Sequence, residues 1–287
     1  MRFARSTPRP TPMAGVMSDW EVSLPMYALT EPLKAANRAL LEAFIGHLGA
    51  LGWRAPVRIV EPDFAHIDEH WRHPRLLMSQ TCGYPLMTRL KGQVRLLAIP
   101  SYHADGFERT RYASRLIVRE GSGIDTLNDL KGHIAAINSE DSHSGMNALR
   151  HAVAPLASAG RFFAQVVVTG GHAASIESVR DGHADVAAID PVTWACLLDA
   201  RPDLALGLRT LGWTAAAPGL PLISSRQLPP QQAEWVKSAL AQALQGAPEL
   251  AQRLRLQRIH PARWGYYHQI VDMQRQAQAR GVTRLAH

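Results

Sequence analysis

Serines, a histidine and a glycine gather at Ser142-His143-Ser144-Gly145-Met146-Asn147, directly after the apolar run His133-Ile134-Ala135-Ala136-Ile137. Short hydroxyl side chains where a strand gives way to a helix serve one of two ends. They cap the first backbone N–H groups, which have no intrahelical partners, or they join those groups in holding an anion. For any single serine, capping is the commoner role. The pattern recurs, however, at other predicted strand ends: Tyr27, Thr81-Cys82-Gly83-Tyr84, Gly171-His172 and Asp190. In open α/β sheets such ends face the crevice that binds ligands, and two lobes facing one another would bring them into one cleft.

Other chemistry lacks its anchor. There is no GxGxxG, no Walker loop and no GxSxG elbow, and adjacency of Ser142 and His143 does not make a catalytic pair. His66-Ile67-Asp68-Glu69-His70, with His73 beyond, has helical i, i+4 spacing but is not HExxH, and it reads as a solvated face rather than a metal site. Asp181 and Asp185 read as a helix-end charge and a turn residue. Neither metal nor cofactor is expected. Cys82 and Cys196 read as small buried thiols, with a disulfide between them as the other possibility. The formal net charge of +7 is spread over scattered arginines without an aromatic-studded basic run, so nucleic acid is not the expected partner, whereas a basic surface suits small anions.

The elements that must position these groups alternate. A strand near residues 20–25 precedes a helix over 32–51 carrying Leu33, Ala36, Leu40, Leu41, Phe44, Ile45 and Leu48, and a second strand falls at 57–60. Strands follow at 75–80, 94–100, 112–119, 133–137, 164–169, 186–190, 206–212 and 222–225. Helices are expected at 146–153, 173–181, 191–198 and 229–244, with tail helices at 247–256 and 267–280. This is an α/β pattern. Residues 1–17 carry Arg2, Arg5, Arg9 and three prolines without an apolar run long enough for a signal sequence or a membrane span, and are expected to be a disordered tail.

Four blocks bear a family resemblance: Tyr112-Ala113-Ser114, Leu127-Asn128-Asp129-Leu130-Lys131-Gly132, the serine motif, and Gly171-His172-Ala173-Ala174-Ser175 with Gly182-His183-Ala184-Asp185-Val186-Ala187-Ala188-Ile189-Asp190. Together they resemble the PhnD-like branch of the phosphate/phosphonate ABC-transporter substrate-binding proteins. The likeness runs in order over roughly residues 20–281, the serine motif and the second half of the last block being its most specific parts. His143 stands where a smaller hydroxyl residue is common among relatives.

The resemblance implies an α/β, two-lobed type II periplasmic-binding-protein-like fold, each lobe a mixed sheet flanked by helices, joined by two hinge crossings. The first lobe is expected over 18–107 and 215–287 and the second over 108–214. By matching motifs, Ser142, Ser144 and the Gly145 amide would hold an oxyanion such as phosphate, phosphite or a phosphonate, faced by Tyr27 and Tyr84, with Thr81 nearby. Tyr112, His172 and Asp190 would line the second lobe's side, Asp190 accepting from an amine or a protonated oxygen. The implied partners are a small anionic ligand and an ABC permease, with no nucleic acid, no membrane span and a monomeric chain. The implied compartment is the periplasm, whereas the lack of a visible signal sequence points to the cytoplasm. The alternative function is a cytoplasmic enzyme or ligand sensor on the same fold.

Overall fold

The computed structural model describes residues 19–285, so the expected tail at 1–17 lies outside the described residues. β1 (Trp20–Val22) is buried throughout, and α1 (Glu31–Ala50) follows it. Leu33, Ala36, Leu40, Leu41, Phe44 and Leu48 form the buried stripe of α1, and Thr30 caps its start by accepting from the Leu33 N–H at 3.4 Å. β2 (Val57–Ile59) pairs parallel with β1, completing a βαβ opening. After α2 (Ile67–Trp71), β3 (Leu76–Gln80) pairs parallel on the other side of β1, and α3 (Gly83–Thr88) leads to β4 (Val94–Tyr102).

A hairpin of β5 (Phe107–Glu108) and β6 (Arg111–Tyr112) precedes β7 (Arg115–Arg119). The single strand expected over 112–119 is therefore split. The Ala113 N–H bonds back to Gly106 O at 2.8 Å and the Ser114 N–H to Thr214 Oγ1 at 2.9 Å, which takes both residues out of the ladder. The chain continues through β8 (Ile134–Ile137), α4 (Ala148–Val153), β9 (Gln165–Val168), α5 (His172–Arg180), β10 (Val186–Ile189), α6 (Pro191–Ala200) and β11 (Leu208–Trp213). It closes with β12 (Ala217–Pro218), β13 (Leu222–Ser225), α7 (Pro230–Gly246), α8 (Pro248–Arg253), β14 (Leu256–Pro261) and α9 (Trp264–Ala279). Where one helix is expected over 247–256, α8 stops at Arg253. Arg255 then turns with φ 54°, and the chain enters the edge strand β14.

All but three of the strands form two mixed sheets, and β12-β6-β5 form a small third. The first has the order β14-β4-β13-β3-β1-β2 and the second β11-β7-β10-β8-β9. Two segments cross between the lobes, one between β4 and β7 and one between β11 and β13. They pair with one another through β6 and β12, Tyr112 opposite Ala217. One apolar cluster, with Phe44, Leu40, Val236 and Leu240, fills the first lobe between α1, α7 and the sheet. Another joins Leu116, Ile137 and Leu149 of the second lobe to Leu76, Leu86 and Ile99 of the first, so the lobes are packed against each other.

α9 touches both lobes and both crossings. Tyr267 donates to Gly219 O at 2.9 Å and Gln269 to Ala216 O at 2.7 Å on one crossing, while Ile270 packs on α3 at Gly83. On the second lobe, Asn147 donates to Ile270 O at 3.0 Å and Arg150 to Thr283 O at 2.8 Å. Both cysteines are free and buried. Among the described residues no helix is long and apolar enough to cross a membrane.

Candidate functional site

The carboxyl ends of β1, β3, β8, β9 and β10 all deliver polar groups to the space between the lobes. After β8 the chain passes Asn138 and reaches Ser142, which opens a π-helical turn, His143–Asn147. The wide turn is built from i→i+5 bonds, Asn147 N–H to Ser142 O at 3.0 Å among them, a geometry found disproportionately at functional sites. Ser142 Oγ accepts from the Gly145 N–H at 3.0 Å and lies 3.4 Å from Ser144 Oγ, and Ser144 Oγ is 3.0 Å from His172 Nε2 at the start of α5. Gly145 is required here. A Cβ on it would fall 1.9 Å from Asn138 Oδ1 and 3.3 Å from the His172 ring.

Asp190 ends β10 and caps α6, Oδ1 accepting from the Val192 and Thr193 N–H groups at 2.9 Å each. Its other oxygen accepts from the Tyr27 hydroxyl at 3.2 Å, a bond between the lobes. Burial lifts the Asp190 carboxyl to about 6 against the pull of these donors. Burial and the neighbouring Asp190 hold the Tyr27 phenol well above its ordinary value. Tyr27 meets Tyr102 edge to face at 4.9 Å, and Tyr102 continues through Phe107, which stacks on Tyr112.

Four buried polar atoms in this region lack a hydrogen-bond partner among the described residues: Tyr112 Oη, Ser114 Oγ, Asn138 Oδ1 and His172 Nδ1. An unmade hydrogen bond on a buried group costs roughly 1–3 kcal/mol, and three of these, on Tyr112, Asn138 and His172, lie beside the serine loop and are available to another molecule. Tyr112 is well above its ordinary pKa through burial, and Ser144 beside it opposes that shift. Burial lowers His172 to about 4 and His143 to about 3, so both imidazoles are neutral near pH 7. The arrangement offers neutral hydroxyl and imidazole donors on one side and a carboxyl poised near neutrality on the other. Such donors can hold an oxyanion without arginine or metal.

The structure brings Tyr27, Tyr112, Ser142, Ser144, Gly145, His172 and Asp190 together. The Gly145 amide is already engaged by Ser142 Oγ, so the serine both caps the turn and keeps its own O–H to donate. Thr81 is fully buried, its N–H on Pro221 O at 3.1 Å, and reaches the loop through its neighbour Cys82, whose Sγ accepts from His143 N–H at 3.3 Å. Tyr84 lines a cavity of about 230 Å³ with Glu140, Met146 and Arg150. Asn138, just before the serine motif, and Ser114, in the first of the four blocks, carry no spacing signal of their own, and only the tertiary fold shows Asn138 Oδ1 and Ser114 Oγ buried without a partner.

Ser144 and His172 form a serine–histidine pair, but no carboxylate orients the ring, since His172 Nδ1 is unpartnered, and the lowered pKa makes it a poor base. His66 lies on the surface 3.4 Å from Glu69, whereas His70 turns inward to Ser23 Oγ at 2.8 Å and Glu21 at 3.5 Å. Among the described residues no group of His, Cys, Asp and Glu is arranged to hold a metal ion.

Two mixed α/β sheets joined by paired crossings, with strand ends meeting at a polar cleft, define a two-lobed solute-binding protein. The chain belongs to the ABC transporter, phosphonate, periplasmic substrate-binding protein family, whose model matches residues 35–265. Solved structures share the fold. A binding protein component of an ABC phosphonate transporter from Pseudomonas aeruginosa superposes with TM-score 0.72 at 17% identity, over 91% of this chain and 87% of that one. PhnD1 from Prochlorococcus marinus in complex with methylphosphonate gives TM-score 0.70 at 15% identity over 90% and 98%. XAC2383 from Xanthomonas citri bound to ATP gives 0.70 at 18% over 92% and 98%. No curated protein sequence matches the chain.

Proposed function

We propose that this substrate-binding protein takes a small oxyanion, such as phosphate, phosphite or a phosphonate, in the cleft between its lobes and presents it to an ABC permease in the periplasm as a monomer. The observation that carries the reading is the pair of unpartnered buried groups, Tyr112 Oη and His172 Nδ1, beside the Ser142–Ser144 pair. The methylphosphonate complex of the Prochlorococcus relative supports the ligand class. In this reading the described residues of 18–107 and 215–287 belong to the first lobe and 108–214 to the second.

In this reading Ser142, Ser144, Tyr112 and His172 donate to the oxyanion, and Asp190 accepts from a protonated ligand oxygen or an amine. Tyr27 closes the cleft by donating to Asp190 across it. Calorimetric titration with phosphate, phosphite, alkylphosphonates and sulfate tests the assignment. Saturable heat from at least one phosphorus oxyanion is expected, and silence from all four, with no thermal shift, removes it.

A further inference from the structure

Away from the cleft, where the crossings meet the edge of the first sheet, lies a cavity of about 620 Å³. Arg109 and Arg111 reach it from the β5–β6 hairpin, His260 from β14, and Arg263 and Tyr266 from the start of α9, against a single carboxylate, Glu108. Several arginines elsewhere on the surface pair with carboxylates, as in Arg38–Glu61, Arg201–Glu177, Arg209–Asp125 and Arg255–Asp199, whereas the three that line this cavity do not. Arg111 is held by Ala216 O and Gln269 Oε1, but the guanidinium groups of Arg109 and Arg263 have no hydrogen-bond or ion-pair partner among the described residues. His260, bonded to Ser101 at 3.0 Å, is held below its ordinary pKa by burial and then by Arg258 and Arg109, the response expected in a positive field. Arg109 also sits in the left-handed region, φ 53°, at the hairpin tip, where glycine or asparagine is the easier choice.

We propose that this cavity is a second anion site, separate from the cleft, for a small molecule carrying two or more phosphoryl groups. Guanidinium forks match phosphoryl oxygens in geometry as well as charge, and several arginines call for several charges. The volume exceeds what one tetrahedral oxyanion needs and falls in the range of small-molecule sites. Tyr266, 48% exposed, adds a ring on which a base could stack. Pro218 and the two hairpin arginines belong to the crossings, while His260 and Arg263 belong to the first lobe. An anion spanning them ties a crossing to a lobe, so its binding and cleft binding alter one another reciprocally.

The test titrates inorganic pyrophosphate, tripolyphosphate and a nucleoside triphosphate at low salt into Ser142→Ala/Ser144→Ala protein, whose cleft is disabled. Saturable binding is expected. It should weaken about tenfold or more in the same background with Arg109→Ala/Arg263→Ala, as losing two charge-assisted contacts requires. Arg54→Ala/Arg275→Ala, which removes equal charge elsewhere, should leave it unchanged. Equal affinity for tripolyphosphate and the nucleoside triphosphate assigns a free polyphosphate, and tighter nucleotide binding assigns a phosphate ester with a stacked base. Absence of binding, or equal weakening by both arginine pairs, overturns the proposal. Should the cleft prove not to bind oxyanions, the wild-type protein replaces the serine variant and the arginine dependence still decides.

Discussion

Asp190 holds a helix start, a tyrosine from the opposite lobe and one wall of the cleft with a single carboxyl group, and its ionisation reaches all three. Its folded pKa, raised to about 6, lies above the unfolded value, so its contribution to stability is full below about 4 and is lost as pH rises through about 6. Above that range it also presents a negative charge to an anion. Affinity for sulfate, whose charge does not change there, should fall about tenfold for each unit by which binding shifts the Asp190 pKa, and Asp190→Asn should flatten the profile in calorimetric titrations from pH 5 to 7.5. At the serine loop, replacing Ser142 and Ser144 by alanine should abolish anion binding while costing only about 1–2 kcal/mol of cap stability in urea titrations. Unchanged affinity would leave both serines as caps. The serine motif, Tyr27 and Asp190 were readable because strand ends can be counted along a chain. Asn138 and Ser114 were not, because nothing local tells a satisfied amide or hydroxyl from an orphaned one.

The π turn makes the cleft loop possible, and glycine makes the turn possible. Gly145→Ala should weaken oxyanion binding and lower the melting temperature together, since its Cβ would drive into the Asn138 amide. Adding Asn138→Gly should recover part of the stability in thermal scans but not the affinity. In α1, Phe44 is fully buried, and Phe44→Ala should cost about 3–5 kcal/mol by denaturant titration without altering the cleft contacts. The helical period of α1 made it legible in the sequence to within a residue at each end. β14 was missed because Leu256-Gln257-Arg258-Ile259-His260-Pro261 has no strand pattern of its own. Its register comes from β4, His260 opposite Ile99. The break before β7 was hidden for the same reason, since it depends on Thr214 from the other crossing.

Across the whole molecule, several polar links span the lobes beside the apolar contact, and two of them flank the serine loop and Asp190. One is Tyr27 to Asp190. Another is Arg89, at the end of α3, which pairs with Asp68 of its own lobe at 3.0 Å and with Asp141 immediately before the serine loop at 2.5 Å. Arg89→Ala together with Tyr27→Phe should raise the open fraction of unliganded protein, seen as a larger radius of gyration in X-ray scattering. The apparent dissociation constant should rise by the same factor as the closed fraction falls. An unchanged radius and affinity would mean that these two links do not set the balance between open and closed forms.

α9 adds a constraint of another kind. Two crossings by themselves would let the lobes swing as far as their backbones bend, but α9 leaves the first lobe at β14 and is bonded to the second through Ile270 O, and the segment after it through Thr283 O. It acts as a check strap: full opening has to slide or peel this helix, so the motion takes on shear, and its travel is bounded by a segment remote from the ligand. The escape rate of a captured anion is then partly a property of the last thirty or so residues, and changes there would retune residence time while leaving every cleft contact as it is.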